Sequence, residues 1–444
     1  MNDATPLVHL WRQLLQPFTR VLTQPGFARF AQWVTGTVLA WEEHTVTQIL
    51  TALDMEDRWR VIERFAEYGA FRRESVEQQT RRLIETELSP RFAGYRPVAL
   101  DDTKSHRTSK SVWGVCTFHE PAGRSPNRAS TVRAHNWVVA GDLVPGTPWT
   151  YLPHTARLYF RQTQLPPGET FATKTESAVA MLREADSDAP VPILAAFDGA
   201  YANRTVIGPC LDTARGRRID VVTRLPRNAR LYKPLPEISA RGPGRPRKWG
   251  DRLPAPQDHG RWGVRWQSGE AYVYGRERTF RFKERSCRWS VAGAGEPVRV
   301  FVFEVEGYDE PWFLVTTSAT LTPSEVVAVF AARFRQEDGF RDHKQRLGME
   351  ECRAWTKAPV ERTFVVQMVA LTLLRLLSRR LDAAPEVGRW WSAPGWNRRK
   401  SHPSVLDVRR AVWAGRTEFS HFLRELDGRR KSTLEPDNPS KLLA

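Results

Sequence analysis

Thr322 to Met349, TPSEVVAVFAARFRQEDGFRDHKQRLGM, is the stretch from which the rest of the chain is read. Thr322 and Glu325 have the spacing of a capping box, and Pro323 falls at the first helical position, where its missing N–H costs nothing. Gly348 is a natural stop. The spacing predicts one helix. At about 100° per residue, Glu337 lies within roughly 40° of Phe330, Arg333, Arg341 and Lys344 on the helical wheel. One carboxylate therefore shares its face with three cations and an aromatic ring. A solvated face of i,i+4 ion pairs would give the same pattern, so the spacing has to discriminate.

Phe330-x2-Arg333-x3-Glu337-x6-Lys344 resembles the Tyr-x2-Arg-x3-Glu-x6-Lys ("YREK") signature of bacterial insertion-sequence transposases of the DDE type. The departure is Phe330, where that family has Tyr. The resemblance implies that Glu337 is the third of three metal-binding carboxylates. It also implies that Arg333 and Lys344, with Arg341 assisting and Phe330 beside them, hold DNA near the cut. Two aspartates must then lie upstream on strands of a ribonuclease-H-like core.

Two candidates stand where they are needed. The apolar run Arg96–Leu100 leads into Asp101-Asp102-Thr103, and the unbroken apolar run Val191–Phe197, as expected of a strand covered on both faces, leads into Asp198. Between them, Ser111–His119 and Val132–Leu143 are β-rich and Thr173–Ala185 reads as a helix. A second helix near Arg204–Arg215 leads to Asp220–Thr223. Three strands, helix, strand, helix, strand is the order of a ribonuclease-H-like mixed sheet, with an Asp ending its first and fourth strands. A strand-end Asp can equally be a turn or cap residue. Asp101 and Asp102 point to opposite faces. The Asp-x-Thr of the resembling family fits Asp101, and Asp102 stays open as the alternative first ligand. Carboxylate oxygens suit a hard divalent cation, Mg²⁺ or Mn²⁺, and two-metal phosphoryl transfer.

Lys and Arg number 67 against 50 Asp and Glu, a net charge of +17, which points to a polyanion and to nucleic acid first. No basic amphipathic anchor stands out. The most apolar run, Phe364–Leu377, is interrupted by Gln367 and Arg375 and is too short to span a bilayer. It reads as a buried core helix. The start of the chain lacks the pattern of a signal peptide. The four cysteines form no Cys-x-x-Cys pair, so neither zinc nor a disulfide framework is expected. A cytoplasmic protein, nucleoid-associated when on DNA, is the expectation.

The chain divides by pattern into five parts. Residues 1–92 are a helical region, DNA-end-binding by resemblance, with Arg72, Arg73, Arg81 and Arg82 available for phosphates. Residues 93–224 form the first part of an α/β catalytic core and 311–383 the second, separated by a mostly β insertion at 225–310. A Trp/Arg-rich basic region, 384–444, closes the chain with a helix near Val405–Trp413. Within the insertion, Gly244–Lys248 resembles an AT-hook core. Its Arg245, Arg247 and Lys248 suit a narrow minor groove or a flexible basic linker. Trp249, Trp262, Trp266 and Trp289 could stack on an unpaired base or pack in the core. The expected function is a DDE transposase. It would cut double-stranded DNA at terminal inverted repeats and join the ends to target DNA, as a homodimer on DNA and without membrane involvement. A ribonuclease-H-like nuclease without strand transfer, and a non-catalytic DNA-binding protein derived from a transposase, are the alternatives.

Overall fold

The computed structural model describes residues 6–119, 131–235 and 247–428. Five helices come first: α1 (Pro6–Leu15), α2 (Gln24–Leu39), α3 (Val46–Thr51), α4 (Trp59–Tyr68) and α5 (Arg73–Leu88). Thr23 and Thr45 cap α2 and α3 by accepting from the backbone of Gly26 and Gln48. The order is then β1 (Arg96–His106), β2 (Cys116–His119), β3 (Thr131–Val144), β4 (Thr150–Tyr159), α6 (Lys174–Asp188), β5 (Ile193–Phe197), α7 (Arg204–Leu211) and β6 (Asp220–Arg224). The strands β7 (Leu231–Tyr232), β8 (Gln267–Val273), β9 (Arg276–Trp289), β10 (Pro297–Val305) and β11 (Trp312–Thr316) follow. The helices α8 (Pro323–Ala332), α9 (Arg335–Arg346), α10 (Lys357–Ala383), α11 (Val405–Ala414) and α12 (Arg416–Gly428) complete the described chain.

At the centre of the sheet, β4, β3, β1, β5 and β6 lie side by side. β3 is antiparallel to both its neighbours, and β5 and β6 run parallel to β1. This is the ribonuclease-H-like arrangement, a mixed sheet with flanking helices. The strand count differs from the reading of the sequence, which had three strands before the first core helix. The β-rich run at 111–119 contributes only the short β2, and β4 went unread. Pro153 and three polar residues, His154, Thr155 and Arg157, blur its alternation, yet it is buried along most of its length.

The insertion does not form a layer of its own. β11 returns to pair antiparallel with the open edge of β6, and β10, β9 and β7 continue the same sheet, with β8 also on β9. Unpaired edge groups are satisfied by this extension. Three apolar clusters result. One packs α6 and α7 on one face of the sheet, and another packs α8 on the opposite face. The third joins the N-terminal helices to α10, α11 and α12. Trp11 of α1 lies 6.3 Å from Phe419 of α12 and donates its indole N–H to Thr35.

The stretch from Thr322 is two helices rather than one. The capping box of Thr322 and Glu325 is in place, with Pro323 in the first turn. The helix breaks at Arg333–Phe334, where the Phe334 N–H bonds to Ala331, three residues back, instead of four. The expected buried core helix is α10, and the helix near Val405 is α11. Helix α12 was not anticipated. Among the described residues no helix is long and apolar enough to cross a membrane.

Candidate active site

Side chains alternate between faces along a strand. On β1, Ala99 packs beneath α8, whereas Val98 and Leu100 belong to the cluster under α6 and α7. Asp101 therefore shares the α8 face, and Asp102 the α6 face. On β5, Leu194 and Ala196 lie on the α8 face, and the same alternation carried past Phe197 brings Asp198 to that side. The β1–β5 ladder ends at Leu100 opposite Phe197, so Asp101 and Asp198 are the next residues in register. Asp101 sits within β1, which runs on to His106, and not at a strand end as expected. Asp198 does end its strand, and it caps a short 3₁₀ turn, Gly199–Tyr201, by accepting from the Gly199 N–H at 2.5 Å.

Glu337 occupies the first turn of α9, with its side chain 47% exposed. Arg333 joins it to the sheet. One guanidinium nitrogen donates to Asp101 Oδ2 at 3.3 Å, and the other is 3.5 Å from Glu337 Oε1. The two carboxylates thus meet across one cation. Helix α9 is held in this position from below. The buried Gln336 amide donates to the Val139 carbonyl at 2.9 Å and to the Tyr151 hydroxyl at 3.1 Å, and Arg375 pairs with Asp342 at 3.0 Å. Gly339 permits the approach, since a Cβ there would lie 2.7 Å from Tyr151 Cδ1.

Burial is the largest influence on Asp101 and pushes its carboxyl up to about 6. The Asp102 backbone N–H and the Arg333 charge oppose this, while the charges of Asp102 and Asp198 add to it. Asp102 is held differently. Lys174, at the start of α6, reaches its Oδ2 at 2.6 Å, and the Tyr201 hydroxyl donates to its Oδ1 at 3.0 Å. Burial, then the charge of Asp102, raises the Tyr201 phenol well above its usual range.

Among the described residues, no group of three or more His, Cys, Asp or Glu stands close enough together to hold a metal ion. The species between Asp101 and Glu337 is a guanidinium. The donor set nonetheless suits a hard cation in kind and charge: the carboxylates of Asp101 and Glu337 already flank one positive group.

The remaining expected residues are spread more widely. Phe330 is buried against Trp312, with Arg333 5.9 Å above its ring. Its ring serves as a platform for the arginine. Lys344 lies 3.8 Å from Glu350, and Arg341 pairs with Asp338 rather than Glu337. Arg247 and Lys248 are exposed; Arg245 falls outside the described residues. Arg81 is buried and paired with Asp188, so it is not available to phosphates. Trp262 and Trp289 are core residues, Trp249 stacks on Tyr232 at 5.0 Å, and Trp266 lies under Arg281 and Lys283. Lys174, Tyr201 and Gln336 were not singled out from sequence. The only local signal was that Tyr201 follows Asp198 by three residues.

A family model described as DDE superfamily endonuclease matches residues 17–286. The match includes Asp101, Asp102 and Asp198 and ends before Glu337. No curated protein matches the chain.

Proposed function

The chain belongs to the DDE superfamily endonucleases, and from that premise we propose that it is a transposase of the YREK type, with Asp101, Asp198 and Glu337 as its three catalytic carboxylates. The observation that carries this reading is the Arg333 guanidinium, which joins Asp101 of β1 to Glu337 of α9 on the face that Asp198 also shares. The spacing of Arg333, Glu337 and Lys344 supports the YREK assignment.

These carboxylates would hold Mg²⁺, or Mn²⁺ in its place, which supplies charge neutralisation and Lewis acidity at the scissile phosphate. The protein's own part is positioning. Arg333 releases Asp101 and Glu337 and turns its planar fork to a DNA phosphate, where two parallel hydrogen bonds fix the strand. Lys344 adds a point charge further along α9. Water attacks the phosphorus and the bond to the 3′ oxygen breaks, leaving a 3′ hydroxyl on the element and a 5′ phosphate on the flank. That 3′ hydroxyl then attacks a target phosphodiester and displaces its 3′ oxygen. No nucleophilic side chain is needed. The partners are double-stranded terminal inverted repeats and target DNA, and a homodimer brings two ends together. The site of action is the cytoplasm, on the nucleoid. The division of labour assigns 1–92 to end binding, 93–224 and 311–383 to the core, 225–310 to the insertion, and 384–444 to a basic C-terminal region.

Glu337→Gln keeps size and helix propensity and removes one ligand charge. Cleavage of a DNA end should be lost and end binding retained, provided circular dichroism matches wild type. Metal-dependent cleavage by folded Glu337→Gln protein would end this reading. A strand-transfer assay with pre-cut ends separates it from the hydrolytic alternative, because a nuclease alone would yield no joined product.

A further inference from the structure

The β1–β5 ladder stops one residue short of the two aspartates, at Leu100 opposite Phe197. The register brings Asp101 and Asp198 side by side, but no ladder pair joins the two aspartates themselves. What spans the gap lies on the other face of the sheet. Tyr201 belongs to the turn that Asp198 caps, it is 2% exposed, and its hydroxyl reaches across to Asp102. Lys174 holds the second oxygen of Asp102 from α6, with its ammonium 5.5 Å above the Tyr159 ring. Asp101 and Asp102 are adjacent in sequence, and the Asp102 N–H donates to Asp101 Oδ1 at 2.8 Å. Whatever anchors Asp102 therefore also orients Asp101.

We infer that Lys174, Asp102 and Tyr201 form a clamp of positioning residues, which sets the separation and aim of Asp101 and Asp198 for a divalent cation. This rests on the proposed carboxylate site. The clamp assigns a role to each of two neighbouring aspartates: Asp101 faces the cation, and Asp102 is the handle by which β1 is held to the Asp198 turn. Lys174 supplies a second service. It neutralises Asp102, so the negative charge beside Asp101 is balanced and Asp102 does not compete for the cation.

The test is Mn²⁺ binding to the full-length protein, followed by electron paramagnetic resonance and calorimetry, with duplex binding in the absence of metal as control. Tyr201→Phe and Lys174→Met should each weaken Mn²⁺ binding by about tenfold, the scale of losing a partner behind a metal ligand. Metal-free duplex binding should be unchanged. Lys174→Arg, which keeps the charge, should recover most of the affinity. Asp102→Asn should weaken Mn²⁺ binding to a similar degree and still cleave at raised metal concentration. Asp101→Asn should abolish binding. If Asp101→Asn abolishes Mn²⁺ binding while Tyr201→Phe and Lys174→Met titrate like wild type, the clamp is wrong and the carboxylate site stands. If Asp102→Asn is as inert as Asp101→Asn, Asp102 is a ligand and the clamp is wrong. If Asp101→Asn binds Mn²⁺ like wild type, the carboxylate site itself fails. Should Tyr201→Phe not fold, the partly exposed Lys174 carries the test through its two variants.

Discussion

Asp101, one of the three carboxylates proposed above as catalytic, carries a cost in stability. Its carboxyl is pushed up to about 6, first by burial and then by the neighbouring Asp102 and Asp198 charges, against the pull of Arg333. Ionisation of Asp101 is therefore harder in the folded state than in the unfolded chain. The sign follows by linkage: Asp101 favours folding fully below the ordinary carboxylate range, and that contribution is lost as pH rises through about 6. At pH 8 the ionised group opposes folding by up to about 3 kcal/mol. Asp101→Asn removes the charge at similar volume. It should raise the unfolding midpoint at pH 8, with the gain vanishing below about pH 4, as measured by denaturant titration at both pH values. A variant less stable than wild type at pH 8 would contradict this account. The sequence favoured Asp101 only through the Asp-x-Thr pattern of the resembling family and left Asp102 open as the alternative. Only the packing of α6 and α8 on opposite faces, with Lys174 and Tyr201 on one and Arg333 on the other, distinguishes them.

At the scale of elements, the path of α9 is the decisive feature. A capping box and an N-terminal proline made the start of α8 legible, because both act within one turn of backbone. The break at Arg333–Phe334 left no such mark, since neither Gly nor Pro lies there. Instead the two helices are anchored to different parts of the sheet, α8 in the cluster over β5, β6 and β10, and α9 on β3 and β4 through Gln336. Gly339 is the contact that tolerates no side chain. Gly339→Ala would set a methyl 2.7 Å from the Tyr151 ring, and the ring is fully buried with little room to yield. The variant should lose about 1–3 kcal/mol of stability. It should also lose most DNA cleavage, because Glu337 lies two residues away on the displaced turn. Calorimetry and an end-cleavage assay on the same preparation would measure both, and wild-type values for each would refute the role given to this contact.

Across the whole molecule, charge and a shared core set the behaviour. A net charge of +17 on a protein that acts on DNA predicts binding dominated by phosphate contacts. If six to ten phosphates are engaged, affinity should fall by about 10³–10⁵ between 50 and 200 mM salt. Lys344→Ala should lower the slope of log K against log salt by about one. A flat salt titration would remove the argument from charge. The core adds a mechanical expectation. Helices from the two ends of the described chain pack on each other through Trp11 and Phe419, and Arg409 donates to the Val38 carbonyl. Trp11→Ala should cost about 3–5 kcal/mol, and hydrogen exchange should show α1, α2 and α12 loosening together. Loosening confined to α1 would show that the ends are independent.

The sequence by itself determined those features that depend on short-range chemistry. The alternation and apolar runs placed β1 and β5, the capping box placed α8, the charge balance pointed to a polyanion, and motif spacing selected Glu337 and Arg333. These signals survive because composition and short spacings are read along the chain without knowing which distant residues meet. The tertiary structure alone decided that β4 completes the core and that the insertion extends the sheet instead of standing apart. It alone buried Phe330 beneath Arg333 and drew Lys174 and Tyr201 to Asp102. Each of these depends on partners many residues distant, whose meeting is settled by which sheet edge is open and which face a helix covers. No local spacing records that choice.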